Sequence, residues 1–134
     1  MKKLFITLSI LLNTIFSVNA QSNEPVYSQV DKVAAFPGGI PKLFKFIADN
    51  LKYPEQAVNA NISGKVMIKM IIEKDGSVSS TTILKSVGYG CDEEAERVVK
   101  AMPKWTAGKV DGKDVRSTFV IPIMFVLDNG KRAK

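Results

Sequence analysis

The sequence of 134 residues contains no histidine. That removes together the commonest general base, the usual activator of a Ser or Cys nucleophile and the commonest metal ligand. Cysteine is nearly as scarce. Cys91 stands alone, so no intramolecular disulfide can form. No phosphate loop, nucleophile elbow or paired-carboxylate pattern is present, and Gly88 and Gly90 lack the strand-to-helix setting of a phosphate site. Asp92, Glu93, Glu94 and Glu96 crowd one stretch, but adjacent carboxylates on a first helical turn splay around the axis, which suits dipole complementation rather than metal binding. Catalysis, a cofactor and a metal are all unexpected. The lysines behind the net charge of +6 are scattered along the chain rather than clustered, so nucleic acid is not expected as a partner.

Long apolar runs are also missing. Leu4–Phe16, diluted by Thr7, Ser9, Asn13 and Thr14, falls short of the roughly 18–20 apolar residues a membrane span needs. It follows Met1-Lys2-Lys3 and precedes Val18-Asn19-Ala20, a small-residue cleavage site, so residues 1–20 read as a secretory signal peptide. Export places the chain in the periplasm, with a membrane role only if that segment is kept as an anchor. Residues 21–35 are polar and mixed, a short tether with an extended piece at Val26–Val30. Residues 36–128 are the domain, and 129–134 a charged tail.

What the sequence does have is one strongly strand-like stretch, Ser117–Leu127. It is β-branched, aromatic and uncharged. Phe119, Ile121, Ile123, Phe125 and Leu127 point to one side, Val120, Pro122, Met124 and Val126 to the other. Both faces are apolar. A chain with few helices can cover one of them, and Pro122 marks an edge strand, so this stretch is expected to serve a partner as well as the core.

The remainder is an α+β pattern. Phe36-Pro37-Gly38-Gly39 is a turn, and Pro41 suits a first helical turn. Ile40, Leu43, Phe44, Ile47 and Leu51 form the expected buried stripe of a helix ending by Lys52, ahead of Pro54. A short helical turn follows from Pro54 to Ala60. Lys65–Glu73 alternates with Val66, Ile68, Met70 and Ile72 on its dry face, and Asp75-Gly76 folds it into a hairpin with Val78–Lys85. Asp92 is the expected N-cap of a helix over Cys91–Met102, with Ala95, Val98, Val99 and Met102 inward and Pro103 as its stop. Trp105 is expected to cover the base of the sheet, its N–H still needing an acceptor. The economical packing is a three-stranded antiparallel sheet with two main helices on one face. The other face, carrying Met67, Ile71, Val120, Met124 and Val126, is left open.

Taken in order and spacing, Tyr53-Pro54-Glu55, Gly64-Lys65-Val66, Asp75-Gly76-Ser77-Val78, Val87-Gly88, Asp92-Glu93-Glu94-Ala95, Met102-Pro103-Lys104-Trp105 and Gly108-Lys109 resemble the TonB C-terminal domain family. The likeness runs from Phe36 to Leu127. That family is the periplasmic end of an energy transducer, which grips a short receptor peptide, the TonB box. The resemblance implies that a peptide of an outer-membrane TonB-dependent receptor adds as a strand beside Thr118, Phe119, Val120, Ile121, Ile123, Met124, Phe125 and Val126, with Tyr53 and Pro54 as a second contact. It is thus expected to be a TonB-like protein-binding module, part of TonB-dependent transmembrane transport. The alternative is a homodimerising envelope protein of the same fold with no energy-transducing role. Two features depart from the family pattern. Asn50-Leu51-Lys52 replaces the Gln-rich residues before the Tyr-Pro pair, and residues 21–35 reach at most about 50 Å where a long Pro-rich spacer is usual.

Overall fold

The computed structural model describes residues 24–128 and 131–132. The expected signal at 1–20, the first three tether residues and most of the expected charged tail lie outside the described residues. The elements run β1 (Val26–Tyr27), α1 (Ile40–Asn50), α2 (Glu55–Asn59), β2 (Gly64–Ile72), β3 (Val78–Lys85), α3 (Cys91–Lys100), β4 (Gly108–Val110), β5 (Lys113–Phe125), β6 (Leu127–Asp128) and β7 (Lys131–Arg132).

Three antiparallel strands form the centre of the sheet, with β2 between β3 and β5. The alternation of β2 explains its central place. Val66, Ile68, Met70 and Ile72 are all fully buried, and β5 matches them with Ile121, Ile123 and Phe125 on the same face. The β2–β3 turn centres on Gly76, which has a positive φ of 87°. A Cβ there would lie 1.9 Å from the Trp105 carbonyl oxygen, so two requirements converge on glycine. Asp75 shapes the same turn by accepting from the Ser77 N–H at 2.9 Å.

Two further strands enlarge the expected three-stranded sheet. β4 folds back on the start of β5, and β1 joins β5 in parallel with Val26 opposite Arg116 and Tyr27 opposite Ser117. β1 falls within the extended piece expected at Val26–Val30, but two residues give no readable alternation, so its pairing with β5 could not be read from the sequence. It is fixed instead by side chains far along the chain. Arg116 donates to the Glu24 carbonyl at 2.8 Å, and Lys74 pairs with the Glu24 carboxylate. Further on, Ala35 and Thr106 exchange backbone hydrogen bonds of 2.9 and 2.8 Å, and Ala34 is buried.

The helices pack on the inner face of the sheet. In α1 the buried residues are Leu43 and Ile47, with Phe46 half-buried against Phe36 at a ring separation of 5.8 Å. Ile40 and Phe44, expected inside, are each 53% exposed. Two apolar stripes overlap on this helix, and the aromatic cluster of Phe36, Phe46 and Trp105 settles which one turns inward.

α3 buries Cys91, Ala95, Val98 and Val99. Its cap is Gly90, in the left-handed conformation, and not Asp92. The Asp92 carboxylate reaches backwards instead, accepting from the Val87 N–H at 2.9 Å and from the Ser86 hydroxyl. Burial pushes its pKa up, but these bonds and one from the Gly88 N–H outweigh that and hold it below the usual aspartate range. Cys91 is fully buried, and that burial, aided by the charges of Asp92 and Glu93, raises its thiol pKa. Trp105 lies edge-on to Phe36 at 5.5 Å and tilted against Phe119 at 5.0 Å. Its indole N–H has no hydrogen-bond partner among the described residues.

Candidate functional site

β5 is thirteen residues long, and its two edges are treated differently. Along one edge β2 pairs continuously from Ser117 to Phe125. The other edge has short cover at its beginning, where β4 takes Lys113–Val115 and β1 takes Arg116 and Ser117. From Thr118 to Phe125 that second edge has no strand beside it among the described residues. The cause is the path of the chain after Tyr27. It leaves the sheet, and Asp31 and Lys32 donate their N–H groups to the Lys109 carbonyl at 2.9 and 3.1 Å. A row of β5 backbone groups is thereby left for a further strand. Pro122 within it has only a carbonyl to offer.

The faces of β5 divide as its alternation requires. Ile121, Ile123 and Phe125 are buried and Phe119 packs half-buried against the core, while Val120, Met124 and Val126 are 43%, 55% and 46% exposed. Beside the free edge lies an open groove of about 640 Å³, lined by Phe44, Ile47, Ala48, Leu51, Tyr53, Pro122, Met124 and Val126, with Asp49 and Lys52 at its margin. One wall is α1 and the segment after it. The other is the outward row of β5. The groove therefore follows the unpaired edge rather than forming a separate cavity.

Its helical wall is held firmly. Lys52 donates its N–H to Glu94 at 2.9 Å, Glu94 chelates Arg97, and Arg97 reaches the Asn50 carbonyl at 2.7 Å. The Arg97 guanidinium is the main reason that the Glu94 carboxyl titrates below the ordinary glutamate range. Tyr53 is fixed at both ends, with its hydroxyl donating to the Ile62 carbonyl and its ring standing edge-on to Phe125 at 5.5 Å. One side of that ring still faces the groove.

Of the residues singled out from the sequence, Tyr53, Met124 and Val126 come together in the groove, and Thr118 and Val120 lie along the edge above it. Phe119, Ile121, Ile123 and Phe125 send their side chains inward to the core and do not line the groove. Pro54 is not among the groove residues; it caps α2 and sits near Gly90. Phe44, Ala48, Leu51, Lys52 and Pro122 belong to the groove without having been expected there. For Phe44 the signal existed, since an i+4 partner at Ala48 marks a second face of α1, but the sequence offered no means of telling which stripe was dry.

An α+β domain with one long strand left half open is a shape suited to taking up an extended segment. The family model for the Gram-negative bacterial TonB protein C-terminal domain matches residues 49–127, more than half of the chain, and the chain belongs to that family. The family consists of envelope-associated protein-interaction domains and is not a known family of enzymes. An NMR solution structure of the Helicobacter pylori TonB C-terminal domain, spanning that protein's residues 194–285, is similar with a TM-score of 0.50 at 23% identity. The match covers 64% of this chain and 90% of that one, and shows the shared fold. A second solution structure of the same domain, spanning residues 179–285, matches at 24% identity and a TM-score of 0.48, covering 66% and 79%. No curated protein matches the chain. Among the described residues no helix is long and apolar enough to cross a membrane.

Proposed function

We propose that this chain is a periplasmic peptide-binding module that takes an extended, TonB-box-type segment of an outer-membrane receptor as an added strand on the Thr118–Phe125 edge of β5. The observation that carries this reading is the abrupt end of edge pairing at Ser117, with an apolar groove running alongside the vacant rungs. An incoming strand would gain main-chain hydrogen bonds from β5 and place alternate side chains on two surfaces. One set would enter the groove against Phe44, Ala48 and Tyr53, the other would stand beside Val120 and Met124 on the outer face. Export rests on residues 1–20 acting as a cleaved signal, with the domain of residues 36–128 then carried on a short tether. In transport the module would be the receptor-engaging end.

Titration of the exported chain with a TonB-box peptide, followed by amide resonances, tests the reading. Shifts concentrated in Thr118–Val126 and Ala48–Tyr53 are expected. Unchanged amides at millimolar peptide would overturn it. Sedimentation at several concentrations separates the competing occupant, because a dimer that peptide fails to dissolve would assign the edge to a second copy.

A further inference from the structure

The lysines that lie apart in the sequence are brought together by the register of the sheet. On the outer face of β2, Lys65 and Lys69 flank Met67, two residues away on either side. Lys85 of β3 stands directly across from Met67. Same-face neighbours along a strand are about 7 Å apart and adjacent strands about 5 Å apart, so three ammonium-bearing side chains ring one methionine. None of the three makes an ion pair with a described residue. The acids of the β2 and β5 outer rows are already engaged, Glu73 by Arg116 and Asp114 by Lys109, each at 2.7 Å. Around the lysines lie Leu84, Val120 and Met124, each between 43% and 55% exposed.

Asp49, Glu55, Glu93, Glu94 and Glu96 all sit on the helices, on the opposite side of the sheet. The same helices carry Lys42, Lys45, Arg97 and Lys100, and Lys45, Arg97 and Lys100 pair with Asp49, Glu94 and Glu96, so charge on the helical layer is largely balanced whereas the three lysines of the bare sheet face are unopposed. Neither residues 1–23 nor residues 129–134 include an acidic side chain, so those segments cannot neutralise the cluster. A second copy laid face to face would oppose lysine to lysine. A broad, negative surface would complement this face.

We propose that the outer face of the sheet docks on an anionic phospholipid bilayer, with Lys65, Lys69 and Lys85 at the headgroups and Met67, Leu84, Val120 and Met124 touching the interface. Lysine stems lie along apolar surface while their ammonium groups reach outward, which suits such a boundary. Strand addition to β5 lies in the plane of the sheet, so the docked domain still presents that edge. The proposal does not depend on the peptide reading.

The test is flotation of the exported chain with vesicles of pure phosphatidylcholine and with vesicles containing phosphatidylglycerol. Binding is expected to the anionic vesicles, weakening as salt rises, with little to the neutral ones. Lys65→Gln, Lys69→Gln and Lys85→Gln should each lower the partition coefficient roughly fivefold, corresponding to ~1 kcal/mol per lysine near such a surface. Thermal unfolding of each variant checks that the fold persists. Equal binding to both vesicle types, no binding to either at low salt, or insensitivity to the lysine substitutions would each overturn the proposal. So would tighter lysine-dependent binding to a polyglutamate peptide than to the vesicles, which would assign the face to an acidic polypeptide.

Discussion

The two ends of β5 belong to one continuous strand and have opposite fates. At the beginning, Lys113–Ser117 is covered on its outer edge by β4 and β1 and fastened by Arg116 to both Glu73 and Glu24. At the far end, Thr118–Phe125 keeps β2 on one side and nothing among the described residues on the other. The more hydrophobic end is the one left open. Charged and polar side chains close an edge here because they can reach across to distant backbone, whereas an apolar row can only wait for another strand. The inner face of that same row is what holds it in place while its rim stays free.

The largest test of this contrast is Phe125→Ala. Phe125 is 1% exposed and supports Tyr53, so its truncation should lower unfolding stability by about 3–5 kcal/mol, read by denaturant titration. Phe119→Ala, at a half-buried position, should cost less, roughly 1–3 kcal/mol. Equal losses would mean that the core does not distinguish the start of the open stretch from its finish.

The closed end can be probed by pH. The Arg116 guanidinium beside Glu73 is the first cause of a carboxyl pKa below the ordinary 4.5, helped by the Ser79 hydroxyl and opposed by burial. A native value depressed below the unfolded one means that the stabilisation is present above about pH 4.5 and disappears as the pH falls through the native value. Thermal unfolding of the parent should therefore drop between neutral pH and pH 3 more steeply than that of Glu73→Gln. Parallel curves would remove this pair from the account of how the edge is closed.

The smallest stability effects belong to the open end. Val120→Lys and Met124→Lys should leave unfolding within about 0.5 kcal/mol of the parent, because both side chains already face water. Their functional consequences should have opposite signs. Each should weaken uptake of a TonB-box peptide, and each should strengthen flotation with anionic vesicles by adding a cation to the outer face. Failure of either variant to fold would reverse the assignment of faces.

Much of this was legible in the sequence. The alternation of Val66, Ile68, Met70 and Ile72 and the Asp75-Gly76 turn determine the hairpin, and the doubly apolar row at Ser117–Leu127 indicated a strand with a surface to spare. The remainder depended on long-range geometry. β1 is two residues held by Arg116, some ninety positions away, and no local pattern encodes that. Phe44 and Phe46 have equal claims to the inside until Phe36 and Trp105 are in place. Asp92 obeys capping chemistry but spends its carboxylate on the preceding loop, because Gly90 already turns the chain. The lysine ring around Met67 exists only once β2 and β3 are in register.

The parallel clip of β1 on β5 also fixes the line along which the domain can be pulled. A pull applied ahead of Glu24 would reach, through the two rungs of β1, the ribbon whose other half lies bare. Were a strand added there as proposed, that pull would load its ladder lengthwise, in shear rather than in peeling.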